Sequence, residues 1–170
     1  TLTMHQLKQA LAKFILLFLL IPISNLALSQ SSNIFKSSNI KASMLKVSGW
    51  QFKHSNGKPE NTWTNAAFYT GVVAAYETTK SKALLDSMMA IGERNNWLPG
   101  KRYDHADDIA ITQTYIDLYR ITKNERMLKA SIDSIKKLML VPGGEIKRHG
   151  INWWWCDALF MAPPTLAKLS

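Results

Sequence analysis

Several residue types that commonly identify a function are scarce in this sequence. The only cysteine is Cys156, which excludes an internal disulfide and a cysteine-only metal site. None of the four histidines lies at metal-ligand spacing from another, so no metal site is expected. Acidic residues number 12 against 21 lysines and arginines, and the basic residues are scattered along the chain. Because nucleic-acid binding favours clustered basic residues, nucleic acid is not an expected partner.

The first 29 residues have the layout of a secretory signal peptide. Lys8 and Lys13 precede an apolar run over 14–21, and Ala27-Leu28-Ser29 offers small residues ahead of a cleavage before Gln30. The run is shorter than the roughly 20 residues that cross a bilayer, so a retained anchor is the less favoured alternative. We therefore expect export to the periplasm or the outside, without stable membrane insertion after signal removal.

The mature chain is expected to hold a polar tether and one folded domain. Removing residues 1–29 takes away two lysines and no acids, which lowers the formal charge from +9 to +7. This charge is compatible with an acidic oligosaccharide as partner. Residues 30–49 are rich in Ser, Asn and Lys with little apolar periodicity, so they are predicted to be a tether. Order is expected to begin near Trp50, and the domain to span 50–170.

Apolar residues recur at helical spacing in two stretches, 64–97 and 107–140, and each stretch is predicted to form two helices. The segment 76–80, Tyr-Glu-Thr-Thr-Lys, returns after 43 residues as Tyr-Arg-Ile-Thr-Lys at 119–123. A period of this length is typical of stacked helical hairpins. No stretch alternates convincingly as a strand, so the predicted class is all-α.

The repeat also places polar residues at the start of each hairpin. Thr64, Asp107 and Asp157 each lie twelve residues before the position equivalent to Tyr76. In a toroid these starts converge on one rim. The aromatic residues beside them are Trp63, His105 and Trp155. Aromatic faces that stack on a sugar ring and two carboxylates that transfer protons would form a sugar site. The alternative is three independent helix N-caps with tryptophans in a core.

Five motifs make the chain resemble a known family over about residues 50–170. They are Ala67-Phe68-Tyr69-Thr70-Gly71, Asn95-Asn96-Trp97, His105-Ala106-Asp107-Asp108, Gln113-Thr114-Tyr115 and Trp155-Cys156-Asp157-Ala158-Leu159-Phe160-Met161-Ala162-Pro163-Pro164. They resemble the unsaturated rhamnogalacturonyl hydrolases of glycoside hydrolase family 105, relatives of the unsaturated glucuronyl hydrolases of family 88. The resemblance implies an (α/α)6 toroid, of which this chain holds about the first two and a half hairpins. It also implies removal of a terminal 4,5-unsaturated uronic acid from pectin-derived oligosaccharides, without metal or organic cofactor.

The resemblance also implies roles for particular residues. Asp157 would protonate C4 of the unsaturated sugar, after which water adds at C5 and the aglycone leaves. Asp107 matches the second carboxylate, and Asp108 takes its place if the register is off by one. His105 and Trp155 would position the sugar. Trp63 and Asp108 complete the predicted substrate contacts. At a helix start the dipole favours the ionised form of Asp157, whereas desolvation by the neighbouring indoles favours the acid form.

The chain departs from the family pattern in two places. Thr112 stands where a glycine is expected before Gln113, which predicts a more crowded inner face. The sequence stops at Ser170, early in the third hairpin, so the chain alone is expected to be inactive. Cys156, set among aromatics, is expected to be a small buried hydrophobe. Two other functions stay open: a non-catalytic helical-repeat binder of glycans or proteins, and another (α/α)6 carbohydrate-active enzyme. The oligomeric state also stays open.

Overall fold

The computed structural model describes residues 33–54, 57–58, 60–140, 153 and 155–170. The predicted signal peptide, residues 1–29, lies outside the described residues. The chain divides into two compact units, Thr1–Lys46 and Val47–Ser170, and the hairpins belong to the second unit.

All regular structure in the described part of the chain is helical, which confirms the all-α prediction. The helices are α1 (Ser37–Lys53), α2 (Trp63–Thr79), α3 (Lys82–Arg94), α4 (Ala106–Ile109), α5 (Thr112–Thr122), α6 (Arg126–Met139), α7 (Ala158–Met161) and α8 (Pro163–Leu169). In the second unit α2 packs on α3, and α5 packs on α6. The helices that open the successive hairpins, α2, α5 and α8, lie side by side in chain order.

Helix α1 shows that the prediction of a tether reaching residue 49 is wrong from Ser37 onward. The segment 37–53 contains no proline, and its Ala, Met, Leu and Lys residues favour a helix. Only Ser48 is buried, and several apolar side chains, including Val47 and Trp50, are exposed. The apolar periodicity that normally identifies a helix is therefore absent, although the helix forms.

The 43-residue repeat of the sequence is also a repeat of the structure. Lys80 and Lys123 end α2 and α5 in the left-handed conformation, with φ of 57° and 60°. Their backbone N–H groups donate to the carbonyls of Tyr76 and Tyr119, each at 2.7 Å. Each lysine Nζ also lies 5.8 Å from the centre of the same tyrosine's ring, a favourable cation–π arrangement. Both hairpin turns therefore use lysine where glycine is the usual residue.

Trp97 fixes the path of the chain after α3. Its side chain is fully buried, and its φ of 57° turns the chain so that its N–H donates to the carbonyl of Gly92 at 2.9 Å. The indole packs against Gly92, where any side chain would collide with it. Its ring meets Tyr115 edge-on at 5.3 Å, and the Tyr115 hydroxyl donates to the Leu98 carbonyl at 3.2 Å. These contacts hold the loop that leads to α4.

Thr112 is buried at the position where a more crowded inner face was predicted, and its hydroxyl has a hydrogen-bond partner. Its side chain is buried, and its hydroxyl lies 3.0 Å from the hydroxyl of Ser131 on α6, so the two groups satisfy one another. Thr112 is the first residue of α5. A two-residue turn, 110–111, separates α5 from α4 and interrupts the apolar series that starts at Ile109.

Candidate functional site

Two four-residue helices carry the predicted carboxylates. Helix α4 precedes α5, helix α7 precedes α8, and the two short helices are neighbours. Asp107 lies in the first turn of α4, and Asp157 occupies the N-cap position of α7. The fold therefore brings the two acidic helix starts to the same region of the second unit. The two carboxylates do not occupy equivalent positions. Asp157 is the N-cap of α7, whereas the N-cap of α4 is His105 and Asp107 lies two residues after it.

Gln113 anchors α7 to the inner helix α5. Its buried Nε2 donates to the carbonyls of Phe160 at 2.6 Å and Met161 at 3.2 Å. These carbonyls belong to the end of a short helix, where backbone acceptors otherwise lack a partner. Gln113 appeared in a sequence motif, but its role depends on a contact 47 residues away that no local pattern predicts.

Trp153 joins the segments that precede the two short helices. Its indole Nε1 donates to the Asp104 carbonyl at 3.1 Å. Since Asp104 directly precedes the cap of α4, this bond ties the approach to Asp157 to the approach to Asp107. Sequence reasoning assigned no role to Trp153, and its place in a run of three indoles was the only available signal.

His105 caps α4 and contacts Asp107. The backbone N–H of Asp107 donates to the Nδ1 atom of His105 at 3.3 Å, and the same Nδ1 lies 3.7 Å from the Asp107 carboxylate. Both side chains are half-buried. A neutral histidine that accepts at Nδ1 carries its proton on Nε2, so the ring can donate a hydrogen bond from its other side.

Asp108 is engaged by Arg102. The Asp108 carboxylate accepts from Arg102 Nη2 at 2.5 Å, from Nε at 3.1 Å and from the Arg102 backbone N–H at 2.8 Å. Burial tends to raise the pKa of Asp108, but these hydrogen bonds outweigh it and hold the pKa below its ordinary value. A carboxylate bound in this way is poorly suited to exchange protons with a substrate, so the geometry favours Asp107 as the second carboxylate.

The segment around Asp157 is open to solvent. Asp157 is exposed and makes no side-chain capping hydrogen bond, although its carbonyl accepts from the N–H of Phe160 at 2.9 Å. Trp155 is 60% exposed, so it is not enclosed by a core within the described part of the chain. Cys156 is also exposed, so the prediction of a buried thiol is wrong. The reason is that Ala158 and Met161 are the residues α7 buries, and Cys156 lies in the turn before that helix.

Trp63 lies at the start of α2 and is 42% exposed. Thr62 occupies the N-cap position, and its hydroxyl lies 3.2 Å from that of Thr64. Two residues before Trp63, Asn61 donates to the Pro99 carbonyl at 3.3 Å. The start of α2 is therefore tied to the loop that leads to α4, and Trp63 stays a predicted sugar contact.

A groove of about 500 Å³ lies elsewhere, on the second hairpin. Its lining residues are Tyr119, Glu125, Arg126, Leu128, Lys129, Ile132, Asp133 and Lys136. Two of its cations are already paired, Arg126 with Glu93 at 3.1 Å and Lys129 with Asp133 at 2.9 Å. The residues predicted to bind substrate do not line it within the described part of the chain. The candidate site therefore consists of side chains at α4 and α7, and this groove is not part of it.

Among the described residues, no group of three or more His, Cys, Asp or Glu side chains could hold a metal ion. No helix in this part of the chain has the length and apolar character needed to cross a membrane.

Residues 38–170 match the protein family described as Glycosyl Hydrolase Family 88. The match covers most of the chain, and the chain belongs to this family. The match confirms the predicted relationship at the level of family 88, and with it the fold, a partial (α/α)6 toroid of helical hairpins.

Two curated relatives that share one name are similar to this chain. The chain is 36% identical over 141 residues to the unsaturated 3S-rhamnoglycuronyl hydrolase of Formosa agariphila, covering 76% of this chain and 37% of the relative. It is 29% identical over 132 residues to the protein of the same name from Alteromonas sp., covering 66% of this chain and 32% of the relative. The chain thus spans about a third of the length of the curated relatives it matches.

Proposed function

We propose that this chain carries the acid-bearing part of a glycoside hydrolase that removes a terminal 4,5-unsaturated uronic acid from rhamnose-containing oligosaccharides. The observation that carries the proposal is the pairing of α4 and α7, which brings Asp107 and Asp157 to neighbouring helix starts beside the exposed Trp155. Because the chain spans about a third of its relatives' length, the activity is proposed for the complete natural protein containing it. Assignment to family 105, and export by residues 1–29, belong to the same proposal.

The proposed reaction is hydration of a vinyl ether. Asp157 donates a proton to C4, and positive charge develops at C5 and the ring oxygen. Water adds at C5 while Asp107 accepts its proton, which leaves a hemiketal at C5. The hemiketal opens to a ketone, and the hemiacetal left at C1 releases the aglycone with its own oxygen. One water is consumed, and proton transfer through solvent restores both carboxyl groups.

Donation by Asp157 requires that its acid form be favoured in the complex. Asp157 is exposed in the described part of the chain. Bound sugar stacked on Trp155, together with protein that covers the site, would remove water and favour the acid form. For this reason we propose that the 170-residue chain is inactive when it is alone.

The proposed substrate follows the relatives' names and the chemistry of the unsaturated sugar. Both names specify a 3S-rhamnoglycuronyl unit, whereas the sequence motifs suggested pectin-derived rhamnogalacturonan. A 4,5 double bond removes the stereocentre at C4 that distinguishes glucuronic from galacturonic acid, so both parents give one unsaturated sugar. Specificity must then arise from the aglycone. A net positive chain also suits an anionic group such as sulfate on the rhamnose.

The test is isotopic and uses the complete natural protein with unsaturated uronyl-rhamnose, with and without a sulfate on the rhamnose. In D2O, vinyl-ether hydration places deuterium at C4 and removes the double bond before the aglycone is released. Ordinary glycoside hydrolysis releases the aglycone from a sugar that still has its double bond and no deuterium at C4, which would contradict the proposal. Binding of the sugar without turnover would instead favour the non-catalytic glycan binder.

A further inference from the structure

The loop that leads into α4 is fastened to α4 itself. The Gly100 N–H donates to the Asp108 carbonyl at 2.8 Å, and the Arg102 N–H donates to the Asp108 carboxylate at the same distance. A side chain at Gly100 would collide with the backbone and side chain of Asp108, so the close approach depends on glycine. Asp108 thus accepts hydrogen bonds from the loop at both its main-chain carbonyl and its side-chain carboxylate.

The Arg102 guanidinium completes this fastening. Its Nε and Nη2 atoms both donate to one oxygen of Asp108, at 3.1 and 2.5 Å. The Asp108 side chain is 16% exposed, whereas that of Arg102 is 56% exposed, so the carboxylate is the buried partner. Hydrogen bonds between charged groups are shorter and stronger than neutral ones, and this pair fixes the Asp108 side chain in one direction.

The ion pair that fixes the Asp108 side chain also affects the direction of the side chain of Asp107, the preceding residue. Successive residues of an α-helix point about 100° apart, so the rotation of α4 that satisfies Arg102 also sets the direction of the Asp107 side chain. The guanidinium also cancels the charge of one of two adjacent carboxylates, and it feels the charges of Asp107 and Asp104 as well. We infer that the Arg102–Asp108 pair is a positioning device, which fixes the direction and the electrostatic surroundings of the Asp107 carboxylate. This inference rests on the function proposed above.

The test measures kcat and KM of the complete natural protein with unsaturated uronyl-rhamnose. Arg102→Gln and Asp108→Asn should each lower kcat on the order of 10- to 100-fold, the range expected for a misplaced catalytic group. KM should change little in Arg102→Gln, because Arg102 is not among the predicted sugar contacts. The double variant should be no worse than either single variant, since the two residues act as one unit. Arg102→Lys, which keeps the charge, should retain more kcat than Arg102→Gln.

A second ion pair in the chain supplies the control. Arg94 also donates through Nε and Nη2 to a carboxylate, that of Glu60, at 3.2 and 2.6 Å, and it is 58% exposed. Arg94→Gln should lower the melting temperature about as much as Arg102→Gln but leave kcat unchanged. Equal kcat in the two arginine variants would overturn the inference, because the Arg102 pair would then be only structural.

Two other outcomes are distinguishable. A normal kcat in Arg102→Gln beside an inactive Asp108→Asn would make Asp108 itself a participant in the chemistry, and would also overturn the inference. If the wild-type protein does not turn over the substrate in any form, the proposed function fails and the inference fails with it.

Discussion

Gly92 and Gly71 offer a matched pair of glycines for testing the packing that holds the loop before α4. Both lie in helices, Gly92 near the end of α3 and Gly71 in the middle of α2. An added methyl group at Gly71 meets no atom within 4 Å, whereas at Gly92 it falls among the ring atoms of Trp97. Trp97 cannot move away easily, because it is fully buried and packed against Tyr115.

The two substitutions should therefore change stability in opposite directions. Gly71→Ala should raise the free energy of unfolding by roughly 0.5–1 kcal/mol, because alanine loses less entropy in a helix. Gly92→Ala gains up to the same amount but incurs overpacking of about 1–3 kcal/mol, so a net loss of roughly 1–2 kcal/mol is expected. Urea unfolding of the complete natural protein, followed by tryptophan fluorescence, measures both values.

A double variant checks the assigned cause. Trp97→Phe removes part of the ring that meets the new methyl group, and it removes an indole N–H that is buried without a partner among the described residues. In the Trp97→Phe background Gly92→Ala should therefore cost much less, with a coupling of at least about 0.5 kcal/mol. Stabilisation by Gly92→Ala equal to that by Gly71→Ala would refute the described packing of Trp97.

Three further predictions concern the site. Trp155→Ala should weaken binding of the unsaturated disaccharide in calorimetry with little change in melting temperature, since Trp155 is mostly exposed; a large loss of stability would make it a core residue. Gln113→Leu leaves two backbone carbonyls of α7 without their donor, so urea unfolding should show a loss of about 1–3 kcal/mol together with reduced kcat; unchanged kcat would separate α7 from the site. The pKa of Asp108 is lowered in the folded state, so its stabilisation is present above the unfolded pKa of about 3.9 and is lost as pH falls through the folded value. Asp108→Asn should therefore flatten the acid limb of the stability curve, and an unaltered acid limb would contradict the described pair with Arg102.

The hairpins could be predicted from the sequence because their signals are local. Apolar residues at helical spacing and a motif repeated after 43 residues require no knowledge of distant contacts, and the lysine turns at 80 and 123 confirmed both. Helix α1 could not be predicted in this way, since Ser48 is its one buried residue and it therefore shows no apolar face. An amphipathic pattern is a record of burial, so a mostly exposed helix does not produce it.

The site was predictable in its residue types but not in its connections. The motifs contain both Asp107 and Asp108. Only the path of the loop before α4 shows that Arg102 forms an ion pair with Asp108. The link from Trp153 to Asp104 spans 49 residues, and it depends on how two hairpins pack. Pairings of this kind are fixed by tertiary structure, and no spacing along the chain encodes them.

The central claim is that Asp157 is the proton donor of an unsaturated uronyl hydrolase. The most direct measurement compares the complete natural protein with its Asp157→Asn variant, following the loss of the conjugated double bond by ultraviolet absorbance and substrate binding by calorimetry. Loss of a proton donor typically costs about 100- to 10,000-fold in rate, so kcat should fall by that factor while binding and melting temperature stay close to those of the wild type. Turnover by Asp157→Asn at the wild-type rate would contradict the account.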